Sequence, residues 1–181
     1  MFKSYVLPIL EFSNPVFNPY YTKVINSLEK VQRDFLRMVY RRLPNYQKIL
    51  FQKTNHLKPS TIHQNINSDI LPSYPDLLAT FGLELLELRR LKHCLRLFHS
   101  YLHGLIPIDS QAFRLIPNKT NENSFKIHVG IATRDARFNS FFIRIANIYK
   151  NIDPDLQLTN PDVFTNVLKA FDFSKFLKNS L

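Results

Sequence analysis

Glycine is almost missing from this 181-residue chain, which has three, at positions 82, 104 and 130. Loops that cradle phosphate through backbone N–H groups need several glycines at close spacing, so a P-loop or dinucleotide fingerprint is excluded. A fold rich in tight hairpins is disfavoured for the same reason. Cysteine occurs once, at Cys94, which excludes a disulfide framework and a cluster of thiolate metal ligands. Within a leucine-rich stretch, Cys94 reads as a small core residue. No apolar run reaches the ~18–20 residues of a membrane span. Lys3 and the apolar Tyr5–Leu10 stretch faintly resemble a signal peptide, but Glu11, Asn14, Pro15 and the lack of an Ala-x-Ala-like cleavage site argue against one. The expectation is an intracellular protein without a membrane partner. Acidic residues are also in deficit, 14 against 24 Lys and Arg, for a formal net charge of +10.

What is present is apolar and aromatic. Hydrophobic residues make up 45% of the chain, with 16 Phe, eight Tyr and no Trp, enough to build a core and to exclude wholesale disorder. The positive charge is uneven: residues 1–50 carry eight Lys/Arg against three Asp/Glu. Such an excess fits a polyanionic partner, most simply nucleic acid, and fits equally a soluble surface that happens to be basic.

Helical periodicity dominates the chain. Residues 2–12 read as a short helix kinked at Pro8, followed by SNPVFNPY, whose two Asn-Pro steps oppose helix. A strong helix is predicted from about Tyr21 to Leu43. Val24, Leu28, Val31, Phe35 and Met38 are spaced four, three, four, three and form the expected core seam. Lys23, Lys30 and Arg37 fall seven apart on the other side, with Arg33 between two of them. Arg41 and Arg42 close the helix, where cations favour the negative end of its dipole. A second long helix is predicted over Leu83–Gly104, with Leu88, Leu91, Leu95, Phe98, Leu102 and Leu105 as its apolar stripe. Arg89, Arg90, Lys92 and Arg96 lie off that stripe, which makes the wet side basic. Residues 44–75 hold four prolines and little periodicity, with Ile49 to Phe51 able to add a helical turn; this stretch reads as an irregular linker or insertion. Asp76 to Ala79 starts a short helix. FRLI and FKIHVGI flank a polar PNKTNENS stretch and predict a short β-hairpin near residues 113–131. Arg137–Tyr149 returns to helical spacing, and Asn160-Pro161 starts a last helix with a capping side chain followed by proline. Phe173, Phe176 and Leu177 add one more turn. The fold class is mainly α, in helical bundle-like lobes: 1–43 an N-terminal helical segment, 44–75 the linker, 76–181 a helical C-terminal region.

Catalytic chemistry finds little support. A polymerase or nuclease needs two or three converging carboxylates to hold divalent metal, and the fourteen here are scattered, with no Asp-Asp pair. Asp153-Pro154-Asp155 reads as a helix-ending turn. Tyr74-Pro75-Asp76 lacks a second Asp, Leu77 standing in its place, and reads as a loop before a helix. His99 and His103 have the i, i+4 spacing that chelates zinc, but no HExxH pattern and no third ligand accompany them, so a helix-surface position is expected. No catalytic residue, metal or cofactor is expected. The basic helix faces are the remaining candidates. Lys23, Lys30, Arg33, Arg37, Arg41 and Arg42 lay a positive track about 27 Å long at ~1.5 Å per residue, and Arg89, Arg90, Lys92 and Arg96 add a second face. Phosphates bind such tracks mainly through charge; a merely solvated face is the competing reading.

Several ordered motifs resemble the region that follows the polymerase core in reverse transcriptases of non-LTR (LINE-like) retrotransposons. They are FKSYVLPILEF over Phe2–Phe12, then Phe17-Asn18-Pro19, and an intact Leu-Glu-Lys-Val-Gln-Arg block at Leu28–Arg33. A Tyr74–Leu78 string without the usual Arg follows, then Gly82-Leu83, Leu86–Leu91 and Leu102-His103-Gly104. Thr133-Arg134, Phe141–Arg144 and a degraded Trp-Asn-x-Leu-Pro at Tyr149–Asp153 complete the order. Residues 44–72 are unmatched. The resemblance implies a thumb-like, non-catalytic piece whose catalytic aspartates lie in other segments, and which grips RNA, DNA or an RNA–DNA hybrid by the backbone. The alternatives are a helical module that packs its 24–38 and 88–105 seams on a polymerase body or other protein, and a decayed copy with no selected function.

Overall fold

A computed structural model describes residues 2–43, 71–107, 113–117, 125–130, 133–152 and 159–178. Most of the expected linker 44–75, including Ile49 to Phe51, lies outside the described residues, as do the hairpin connection 118–124 and the Asp153-Pro154-Asp155 turn.

The fold is mainly helical. A π-helical turn at Phe2–Val6 runs into α1 (Leu7–Glu11), followed by α2 (Thr22–Arg41), α3 (Tyr74–Phe81) and α4 (Leu86–Leu102). Strands β1 (Phe113–Pro117) and β2 (Phe125–Val129) pair antiparallel, with Phe113 opposite Val129 and Pro117 opposite Phe125. The hairpin expectation holds in these strands. Helices α5 (Asp135–Phe138), α6 (Phe141–Tyr149) and α7 (Pro161–Ala170) follow, then a 3₁₀ turn at Ser174–Phe176. The single helix expected over Arg137–Tyr149 is therefore two, parted at Asn139-Ser140, where the Asn139 amide and the Ser140 hydroxyl hydrogen-bond to backbone carbonyls of α5. Such local bonds offer the chain an alternative to continuing the helix.

Terminal signals are chemically literal. The Asn160 side chain accepts the Asp162 N–H at 3.2 Å to start α7. Gly82 and Gly104 take positive φ of 58° and 70° just past α3 and α4. Leu83 N–H and Leu105 N–H then return to the carbonyls of Leu78 and Ser100, closing each helix with the 6→1 bond of a Schellman motif.

The chain divides into two compact units, Met1–Thr22 with Glu87–Ser180, and Lys23–Leu86 with Leu181. The division differs from the expected one at residue 43, because the first 22 residues belong with the C-terminal region. In that first unit the core gathers Cys94, Leu95 and Phe98 of α4, Ile127 of β2, Ile145, Ala146 and Tyr149 of α6, and Phe164 and Leu168 of α7. The Phe98 and Tyr149 rings meet edge-on at 5.3 Å, a geometry favoured by the ring quadrupoles. In the second unit, Ile25, Leu36, Leu77, Leu78 and Leu85 are buried.

Candidate nucleic-acid interface

Helix α2 buries a different face from the one its periodicity advertises. Val24, Val31 and Met38, the centre of the predicted seam, are 45%, 45% and 42% exposed, and Leu28 and Phe35 are half-buried. The inward positions are Ile25, Glu29, Gln32 and Leu36. Two of them are polar because they serve a network reaching across the sequence. The Leu86 N–H donates to both carboxylate oxygens of Glu29, at 3.2 and 3.1 Å. Glu29 therefore supplies an acceptor to the unpaired first turn of α4, and its charge suits a helix N-terminus. The Tyr74 hydroxyl donates to the same carboxylate. Gln32 donates to Tyr74 Oη at 3.1 Å and to the Glu84 carbonyl at 3.0 Å. Burial, with the Glu29 contact second, pushes the Tyr74 hydroxyl pKa upward, so the phenol stays a donor. Tyr74 is the first residue of α3, capped by Ser73. Tyr74, Pro75 and Asp76, read from the sequence as a loop before a helix, are thus the first residues of the helix itself.

The cations of α2 lie to the side of this network. Lys23, Lys30, Arg41 and Arg42 are exposed, and Arg33 and Arg37 are half-buried. The Arg33 guanidinium stands 5.1 Å from the Tyr74 ring centroid, close enough for a cation–π contact. Lys23, Lys30 and Arg37 share one face, since seven residues make nearly two turns. Asp34 is the one acidic side chain exposed on α2.

The cations of α4 are placed differently, and the expectation of a wet basic face on this helix is corrected. Arg90 is 5% and Lys92 4% exposed. Arg90 donates Nη1 to the Leu10 carbonyl and Nη2 to the Phe17 carbonyl, both at 2.6 Å, and Nε to Asn18 Oδ1 at 3.3 Å. Asn14 returns a bond from its amide to the Arg90 carbonyl at 2.6 Å. Both Asn-Pro steps are thus tied to Arg90, the first through its backbone carbonyl and the second through a guanidinium whose planar fork fits carbonyl oxygens from three directions. Burial lowers the Arg90 pKa, yet an arginine remains charged. Arg89 is paired with Glu11 at 3.0 Å. Arg96 is half-buried, its Nε buried with no hydrogen-bond partner among the described residues.

His99, expected at a helix surface, is fully buried. Its ring stacks on Phe164 at 3.9 Å and 5°. Nε2 lies 3.0 Å from the Thr159 carbonyl, which can only accept, so the proton sits there and Nδ1 accepts the Tyr149 hydroxyl at 2.7 Å. Burial first, and the neighbouring His103 second, lower its pKa to about 4. Cys94 is a core residue as expected; burial raises its thiol to about 11, and Arg144 Nη2 lies 3.8 Å from the sulfur. Among the described residues no group of three His, Cys, Asp or Glu converges to hold a metal ion, and no helix is long and apolar enough to cross a membrane.

Periodicity alone misses Glu29, Gln32, Asn14 and His99 as organising residues. A signal existed for the first two: the Leu28–Arg33 block holds polar residues next to, and not on, the apolar seam. The chain matches no family model, no curated protein and no solved structure.

Proposed function

We propose that the chain is a non-catalytic helical module that binds nucleic-acid backbone, without reading sequence, through α2. The observation that carries this reading is the one-sided cation face of Lys23, Lys30 and Arg37, extended by Arg41 and Arg42 toward the helix end. The parentage implied by the motifs, a post-polymerase region of a non-LTR reverse transcriptase, belongs to the same proposal. Within it two of the α4 cations are scaffold, Arg89 and Arg90, which tie the N-terminal segment to α4, and Lys92 is buried. The face that meets phosphate is thereby narrowed to α2.

Backbone binding by charge releases counterions, so affinity falls with salt with a slope near −0.9 per phosphate neutralised. The test is binding of nuclease-treated protein to an RNA–DNA duplex across a salt series. Lys23→Ala/Lys30→Ala/Arg37→Ala is expected to weaken binding and to reduce the slope by about three. Undetectable binding at low salt, or a slope unchanged in the triple variant, sinks the proposal.

A further inference from the structure

The segment from Tyr5 to Phe17 turns its large apolar side chains to the outside. Tyr5, Ile9, Phe12, Val16 and Phe17 are each between 70% and 77% exposed, while Leu7 and Asn14 of the same segment are buried. Tyr5, Ile9 and Phe12 follow one another at four and three residues, on one side of the first helical turns. Ser13, at a positive φ of 47°, turns the chain directly after Phe12, and Val16 and Phe17 follow in that turn. The backbone beneath is fixed by the Arg90 bonds to Leu10 and Phe17. Large outward side chains on an anchored backbone are a docking surface that loses little chain entropy on binding.

We propose that this face is a self-association surface that takes the same face of a second copy of the chain. Area and charge select that occupant. Five such side chains offer on the order of 600 Å², more than scattered surface apolars provide. Two copies together cover on the order of 1,200 Å², the lower edge of what a specific dimer buries. Copies carrying +10 repel through most of their surface. Here the nearby Arg89 charge is neutralised by Glu11 at 3.0 Å, and Lys3 is the one exposed cation between residues 2 and 17. A two-fold, self-complementary contact needs this combination of apolar area and low uncompensated charge. The proposal is independent of the α2 reading.

The test is light scattering on the full, nuclease-treated chain over about 1–100 µM, the range matched to an interface of this size. A monomer–dimer equilibrium is expected, and it tightens as salt rises because screening removes repulsion while apolar burial persists. Ile9→Ser/Phe12→Ser and Val16→Ser/Phe17→Ser are each expected to weaken dimerisation by at least about tenfold. Both pairs of residues are exposed, so the thermal midpoint of the monomer should stay in place; this checks that the variants fold. A wild type that stays monomeric throughout, a dimer untouched by both variants, or one that salt dissociates overturns the proposal. So does binding of a non-associating chain to phosphatidylcholine vesicles, which assigns the face to lipid.

Discussion

Arg90 and His99 show how single residues in this chain do work that their type conceals. Arg90 is a cation on a helix, but its three donors end on Leu10, Phe17 and Asn18. Truncation leaves two carbonyls without donors and frees the N-terminal turn. Arg90→Ala is expected to cost about 2–4 kcal/mol and to make residues 1–22 cleavable by limited proteolysis. Arg90→Lys keeps the charge without the fork and should recover only part of the loss. Chemical denaturation reads both, and a wild-type midpoint in Arg90→Ala would refute the assignment. His99 carries a pH signature. The unfolded imidazole protonates near 6.5, the folded one near 4. Between those values the unfolded chain holds the extra proton, so stability rises with pH across the window and is lost as pH falls through it. Unfolding free energy measured from pH 7 to pH 4 should therefore decline, and His99→Gln should flatten that decline. An equal slope in the variant would place the titration elsewhere.

At the scale of the element, α2 is the instructive case. Its 24–28–31–35–38 pattern is a correct reading of a helix and a wrong reading of its buried face. The inward face is shifted by one residue because Glu29 and Gln32 meet the Tyr74 hydroxyl, the Leu86 N–H and the Glu84 carbonyl. A buried polar pair is tolerated only when such partners arrive. The order of sensitivity should therefore reverse what periodicity implies. Glu29→Ala is expected to cost about 2–3 kcal/mol, by leaving the Leu86 N–H and Tyr74 hydroxyl buried without an acceptor. Val31→Thr, on the exposed seam, should stay within about 0.5 kcal/mol. Denaturation midpoints of the two variants settle the matter; a Val31 effect larger than that of Glu29 would restore the predicted seam. The helix ends were legible where the apolar face was not. Asn160-Pro161 and Gly104 act through bonds within a few residues, and a local signal suffices for a local bond.

For the whole molecule, the balance of +10 gives the amount of charge and not its placement. Arg90 and Lys92 are buried and Arg89 is paired with Glu11, whereas Lys23, Lys30 and Arg41 of α2 and the adjacent Arg42 are exposed and the Tyr5–Phe17 face is apolar. The two proposals predict opposite salt responses, weaker nucleic-acid binding and stronger self-association as salt rises, and one salt series on the same preparation separates them. The sequence by itself determined the helical class, the helix ends, the two-stranded element and the burial of Cys94, because propensity, capping and periodicity act over a few residues. Tertiary structure alone decided which face of α2 turns inward, which arginines are scaffold and that His99 is core. Those outcomes depend on desolvating a polar group, which is favourable only when a partner 40 to 80 residues away in the chain supplies the matching donor or acceptor. No local pattern of residues records that the partner will be there.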